Sequence, residues 1–139
     1  MTRKLVLVSH GQYASGVLSA LKILFGETSQ VSALDCYMSA DFALQKAAQK
    51  IIQDNDTGDL IIVTDIFGGS VNNEFMKYMA GNVYLVAGMN LPFLLELMTK
   101  FDTDLSTTDL IEAAISGAKD SLKFCNKIKS DAVTDDDDF

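Results

Sequence analysis

The chain has 139 residues, enough for one domain whose core needs no disulfide or metal to hold it, and too few for two. Its 48 % hydrophobic and 22 % charged residues match an ordinary globular protein and exclude a disordered or collagen-like chain. A formal charge of −8 argues against nucleic acid and anionic lipid, both polyanions, and favours a basic protein as partner.

Residues 4–9 (KLVLVS) form an apolar run with β-branched valines before a glycine, which predicts a strand buried on both faces. The run is too short for a secretory core, and no apolar stretch approaches the ~18 residues of a membrane span, so the expected protein is soluble and cytoplasmic. Val17, Leu18, Leu21, Leu24 and Phe25 recur at helical spacing, predicting helix 1 over 14–25 with Gly26 as its stop. Strand 2 is expected over 31–37. A helix opening near Ser39 with Asp41 in its first turn should run to about residue 53, with Phe42, Ala43, Ala47 and Ile51 as its apolar stripe.

The turn-rich segment 54–59 (DNDTGD) precedes residues 60–64 (LIIVT), the third strand. A helix over 71–79 and a turn at Ala80, Gly81 and Asn82 lead to strand 4, residues 83–87. Pro92, the only proline, suits the first turn of the next helix, where its missing N–H has no partner to lose. A last helix is expected over 106–119, with Ser106, Thr107, Thr108 and Asp109 competing to cap it. Beyond it Leu122, Phe124 and Ile128 alternate with Lys123 and Lys127, which favours a strand over 121–128. Residues 131–139, with Asp135, Asp136, Asp137 and Asp138, read as a disordered acidic tail after a domain of residues 1–130.

Strands alternating with helices imply right-handed βαβ units, hence an α/β, doubly wound fold around a mostly parallel sheet. Cys36 and Cys125 lack metal-binding spacing and read as buried reduced thiols. Met76, Met79, Met89 and Met98 read as core filling.

Ligands of open parallel sheets bind beyond the carboxyl ends of the strands. Strand 1 ends in Ser9, His10 and Gly11, and strand 3 is followed by Asp65, Ile66, Phe67, Gly68, Gly69 and Ser70. In the order 2-1-3-4 these ends are neighbours, and His10, the only histidine, faces Asp65. An imidazole is a phosphoryl nucleophile when one nitrogen is free and the other donates to a carboxylate, which fixes the tautomer and stabilises the charged ring. Gly68, Gly69 and Ser70 at a helix start offer uncrowded amides and a hydroxyl to the phosphoryl oxygens. Taken singly, each feature has a plainer explanation: a lone histidine is usually structural, paired glycines are ordinary turn chemistry, and an aspartate before a helix is a cap.

Residues 4–11 (KLVLVSHG), 63–70 (VTDIFGGS) and 87–96 (AGMNLPFLLE) together resemble the IIA component of mannose-family sugar phosphotransferase systems, along nearly the whole chain. The resemblance implies that His10 accepts a phosphoryl group from the histidine phosphocarrier protein and passes it to a IIB component. It implies that Asp65 orients and stabilises the imidazole and that Gly69 and Ser70 lie near the phosphate; Gly11 and Gly68 are further candidate phosphate contacts, and Tyr13 and Phe67 candidate residues of the partner interface. No metal or organic cofactor is needed. The family also forms homodimers that exchange a C-terminal antiparallel strand, which 121–128 matches. Val71 stands where members often carry proline, and the acidic tail where some carry a linker and a IIB domain, so a IIB partner on a separate chain is expected.

The phosphotransfer subunit of dihydroxyacetone kinase systems uses a similar domain and is the nearest alternative. A receiver-type signalling module would phosphorylate Asp65 itself but needs an acidic magnesium pair after strand 1, where Ser9, His10 and Gly11 stand. A flavodoxin-like binding module needs a phosphate loop rich in Ser and Thr there, with aromatic residues to hold a ring, and Tyr13 alone does not supply them.

Overall fold

A computed structural model of the chain describes residues 2–55 and 58–131. Strands β1 (Arg3–His10), β2 (Val31–Cys36), β3 (Asp59–Thr64) and β4 (Val83–Ala87) form one parallel sheet in the order β2-β1-β3-β4. The helices are α1 (Tyr13–Leu24), α2 (Leu44–Asp54), α3 (Ser70–Met76), α4 (Leu91–Thr99), α5 (Thr107–Ala118) and α6 (Cys125–Asp131).

Side chains alternate across each strand, so the continuous apolar runs feed two cores. Leu5, Leu7, Ile61 and Val63 pack with Leu21 of α1, Phe93, Leu94 and Leu97 of α4, and Leu110 of α5. Val8, Leu60 and Ile62 pack with Ala48 of α2 and with Val71 and Phe75 of α3 on the opposite face. Leu7 pairs with Val63 and Val8 with Thr64, while His10 pairs with Cys36. The carboxyl ends of β1 and β3 therefore emerge side by side, clamped by packing on both faces.

Several boundaries differ from the expected ones for local reasons. Strand β2 stops at Cys36, because Tyr37 takes a left-handed conformation with φ 65°. Helix α2, expected to open near Ser39, begins only at Leu44: the Ser39 hydroxyl donates to Asp41 Oδ1 at 2.7 Å and the Ser39 carbonyl accepts the Phe42 amide at 3.3 Å, closing a turn first. Asn90 caps α4 through the Phe93 amide at 2.8 Å, with Pro92 in the first turn, and Ser106 wins the competition to cap α5 through the Asp109 amide at 3.1 Å.

The expected C-terminal strand over 121–128 is not formed. Helix α6 occupies its second half, opened by the Lys127 and Ile128 amides donating to the Phe124 carbonyl at 3.1 and 3.3 Å. A strand needs an edge to pair with, whereas a helix satisfies its own backbone, and in this single chain no described strand pairs with the segment. The two apolar residues that suggested the alternation, Leu122 and Phe124, are 97 % and 71 % exposed. The expected tail lies outside the described residues from 132 onward, and Asp131 closes α6. Met89 and Met98 do fill the core, whereas Met76 and Met79 are exposed.

At the opposite end of the sheet from His10, Arg3 is 2 % exposed. Its guanidinium donates to the carbonyls of Phe101 at 2.7 Å, Thr103 at 3.2 Å and Leu105, and to the Thr107 hydroxyl at 2.9 Å. Thr107 in turn donates to Asp59. A planar cation with five donors gathers the α4–α5 connection under β1 and β3 in a way lysine cannot. Replacing it by an apolar side chain leaves buried carbonyls without donors, so Arg3→Met is expected to cost about 3 kcal/mol. Urea unfolding of the two proteins measures that loss, and equal midpoints would show that the cluster contributes nothing.

Candidate functional site

The chain leaves the sheet at His10 under tight control. Ser9 is fully buried; its hydroxyl donates to the Gly11 carbonyl at 3.0 Å and accepts the Ala14 amide at 2.7 Å, joining the turn to α1. Gly11 has φ 56°, the left-handed region that glycine enters without steric penalty. Its N–H donates to the Cys36 carbonyl at 2.8 Å, tying the turn that leaves β1 to the end of β2.

Asp65, at the end of β3, meets His10 twice through one oxygen. Asp65 Oδ2 accepts the His10 amide at 2.8 Å and lies 2.8 Å from His10 Nδ1, while Oδ1 accepts the Ile66 amide at 3.0 Å. Burial alone would raise the Asp65 carboxyl; the bonds from the His10 amide, the His10 ring and the Ile66 amide outweigh it and hold the group below its ordinary value. An ionised carboxylate only accepts hydrogen bonds, so Nδ1 carries the ring proton and Nε2 keeps its lone pair. The imidazole is 43 % exposed and the carboxylate 13 %, which leaves Nε2 approachable while its anchor is shielded.

Nε2 is directed at the start of α3, 3.3 Å from Ser70 Oγ. Gly68 has φ 82°, and a Cβ added to Gly69 would stand 3.1 Å from Ile66 Cγ1 and 3.3 Å from His10 Cε1, so the imidazole lies directly against bare backbone. Buried Asn72, whose Oδ1 accepts the Thr64 hydroxyl at 2.7 Å, pins this loop to β3. Of the residues expected at a partner interface, Phe67 is 79 % exposed beside the site. Tyr13 is half-exposed, and its hydroxyl donates to the Met89 carbonyl at 2.8 Å, tying α1 to the loop after β4.

Tyr37 and Phe42 complete the site and were not expected there. The Tyr37 ring lies 5.4 Å from the imidazole, inclined by 31°, and its hydroxyl is 2.7 Å from Ser70 Oγ; Phe42 packs edge-on against Tyr37 at 5.4 Å. Among the described residues, no three His, Cys, Asp or Glu side chains are grouped to hold a metal ion.

This arrangement can be set beside known proteins. Residues 4–115 match the family model described as the PTS system fructose IIA component, where PTS denotes a sugar phosphotransferase system. The chain belongs to this IIA family. A solved structure from Klebsiella pneumoniae, provisionally named a phosphoenolpyruvate-dependent sugar PTS permease, is 31 % identical, with a TM-score of 0.85 over 92 % of this chain and 94 % of that one. The mannose-specific EIIAB component of Escherichia coli K12 is 25 % identical over 127 residues, 88 % of this chain but 39 % of that longer protein. The fructose-specific EIIA component of Bacillus subtilis is 23 % identical over 88 % of this chain and 86 % of its own length. The IIA sheet order expected from the sequence, 2-1-3-4, is the one observed.

The two thiols of this IIA chain differ sharply. Cys36 is fully buried beside the site, and burial, with Asp65 and Asp35 nearby, pushes its pKa up to about 11, whereas Cys125 is exposed, contrary to the expectation that both are buried. Because the thiolate is the nucleophile, iodoacetamide at neutral pH is expected to alkylate Cys125 in the folded protein and Cys36 only after unfolding. Peptide mapping that finds Cys36 modified at a comparable rate would contradict the burial.

Proposed function

We propose that this chain is a phosphocarrier of a phosphoenolpyruvate-dependent sugar phosphotransferase system, taking a phosphoryl group on His10 Nε2 from the histidine phosphocarrier protein and passing it to a IIB component. One observation carries the reading: Nδ1 is held by Asp65 at 2.8 Å, so the other ring nitrogen presents a lone pair at the protein surface.

In the transfer step, the Nε2 lone pair forms the new N–P bond as the N–P bond of the donor phosphohistidine breaks and its electrons return to the donor ring. No proton moves at Nε2. The acceptor ring becomes cationic, and Asp65 stabilises it through Nδ1–H. The amides of Gly69 and Ser70 and the Ser70 hydroxyl meet the phosphoryl oxygens, while Gly68 shapes the turn that presents them. Catalysis is then a matter of positioning and electrostatics, with no metal or organic cofactor.

Exposed Phe67, beside the histidine, and Tyr13, at the start of α1, form part of the surface on which the phosphocarrier and the IIB component dock in turn. Residues 1–130 act as one IIA domain in the cytoplasm; no described helix is long and apolar enough to cross a membrane. Leu122 and Phe124, exposed in the single chain, contribute to a homodimer contact. The receiver-type alternative is disfavoured because Asp65 Oδ2 already accepts two bonds from His10. Incubation with phosphoenolpyruvate, enzyme I and the phosphocarrier, followed by peptide mapping, should place an acid-labile phosphoryl group on His10. Label on Asp65, or none, would overturn the reading.

A further inference from the structure

Tyr37 occupies a backbone conformation that a tyrosine seldom adopts, φ 65°, where glycine or asparagine is the easier choice. A non-glycine residue kept in this region is a reason to ask what its side chain does. Its hydroxyl lies 2.7 Å from Ser70 Oγ, its ring flanks the imidazole at 5.4 Å, and Phe42 packs edge-on against it.

The direction of these bonds follows from the anchor. Nδ1–H donates to Asp65, so Nε2 is an acceptor; Ser70 Oγ, 3.3 Å away, therefore donates to it. Ser70 has used its one proton, so at the 2.7 Å contact it can only accept, and Tyr37 donates. The result is a directed chain, Tyr37 O–H to Ser70 O–H to His10 Nε2, in which each bond polarises the next.

We infer that Tyr37 is a positioning residue for phosphoryl transfer: it holds the Ser70 hydroxyl on Nε2 in the resting site and steadies it on a phosphoryl oxygen once the N–P bond has formed. The inference rests on the proposed phosphocarrier role. During the step the Nε2 lone pair becomes the N–P bond and the donor ring recovers its own electrons. Ser70 keeps its proton and changes only its acceptor, from Nε2 to oxygen, and Tyr37 keeps its proton on the Ser70 oxygen.

The test is a cycle of Tyr37→Phe, Ser70→Ala and the double variant, all at exposed positions. Single-turnover phosphorylation by the phosphocarrier and the ¹⁵N shifts of the unphosphorylated His10 ring are the two readouts. Loss of one such hydrogen bond is expected to slow Tyr37→Phe by roughly three- to tenfold. Its Nε2 resonance should move toward that of Ser70→Ala, with Nδ1 unmoved, and the Tyr37 substitution should add no slowing when Ser70 is already alanine. A purely structural ring is preserved in phenylalanine and would move neither readout. Wild-type rate and shift in Tyr37→Phe, or full additivity in the double variant, would overturn the inference while the phosphocarrier reading stands. Failure of the wild-type protein to take up phosphoryl on His10 would remove both.

Discussion

His10→Ala is expected to take up no phosphoryl group from the phosphocarrier while keeping the wild-type fold. The loss is complete because the alanine variant retains no other imidazole and Asp65, already bonded by two backbone amides, is a poor substitute nucleophile. The fold survives because the ring is 43 % exposed and the strand end is held by Ser9 and Gly11. The change in stability should stay within about 1 kcal/mol, mostly from the missing ring bond to Asp65. Intact-mass spectrometry after incubation with the phosphorylated carrier reads the first claim, and circular dichroism with a thermal scan reads the second. A full phosphoryl mass gain in the variant would move the chemistry to another residue, and with it the whole account of the site.

That His10 and Asp65 could be paired from the sequence reflects how strongly buried parallel strands are marked. The run from Leu60 to Val63 is apolar without interruption and β-branched at three of its four positions, and all four residues are buried. Once β1 and β3 are adjacent, the residues that follow them must meet. Tyr37 was not legible in this way, because nothing in its neighbourhood announces a left-handed backbone at a tyrosine or the reach of its hydroxyl to Ser70, 33 positions along the chain.

Local pattern misled most at the end of the chain. Alternation of Leu122, Phe124 and Ile128 describes which faces the side chains would take in a strand, but a strand also has to reach and pair with an edge, and eight residues of sequence do not say which edge, of this chain or of a second copy, that would be. The helix expected to open near Ser39 starts later for a local reason too: the Phe42 amide donates to the Ser39 carbonyl and the Ser39 hydroxyl to Asp41 Oδ1, so the segment closes a turn ahead of α2.

Asp65→Asn should retain transfer but slow it by about two orders of magnitude. The asparagine oxygen can still accept the His10 amide and ring N–H, while its NH2 takes the place of the oxygen that accepted the Ile66 amide and that one bond is lost. What disappears is the negative charge that stabilises the imidazolium formed as Nε2 takes the phosphoryl group, and groups aimed at developing charge are typically worth ~3 kcal/mol, or about 10²-fold. An asparagine amide that flips to donate to Nδ1 would also shift the ring proton onto Nε2 and block the nucleophile, adding to the loss. Stability supplies an independent check with a definite sign. The Asp65 pKa lies below its ordinary 3.8 in the folded protein, so its contribution is fully present above that value and is lost as the pH falls through the folded one. The advantage of the wild-type protein over Asp65→Asn should therefore be constant from neutral pH down to about pH 5 and shrink in more acidic solution. Unchanged single-turnover rates in the variant, or a stability difference that grows on acidification, would show that the carboxylate does not hold the histidine in the way the distances imply.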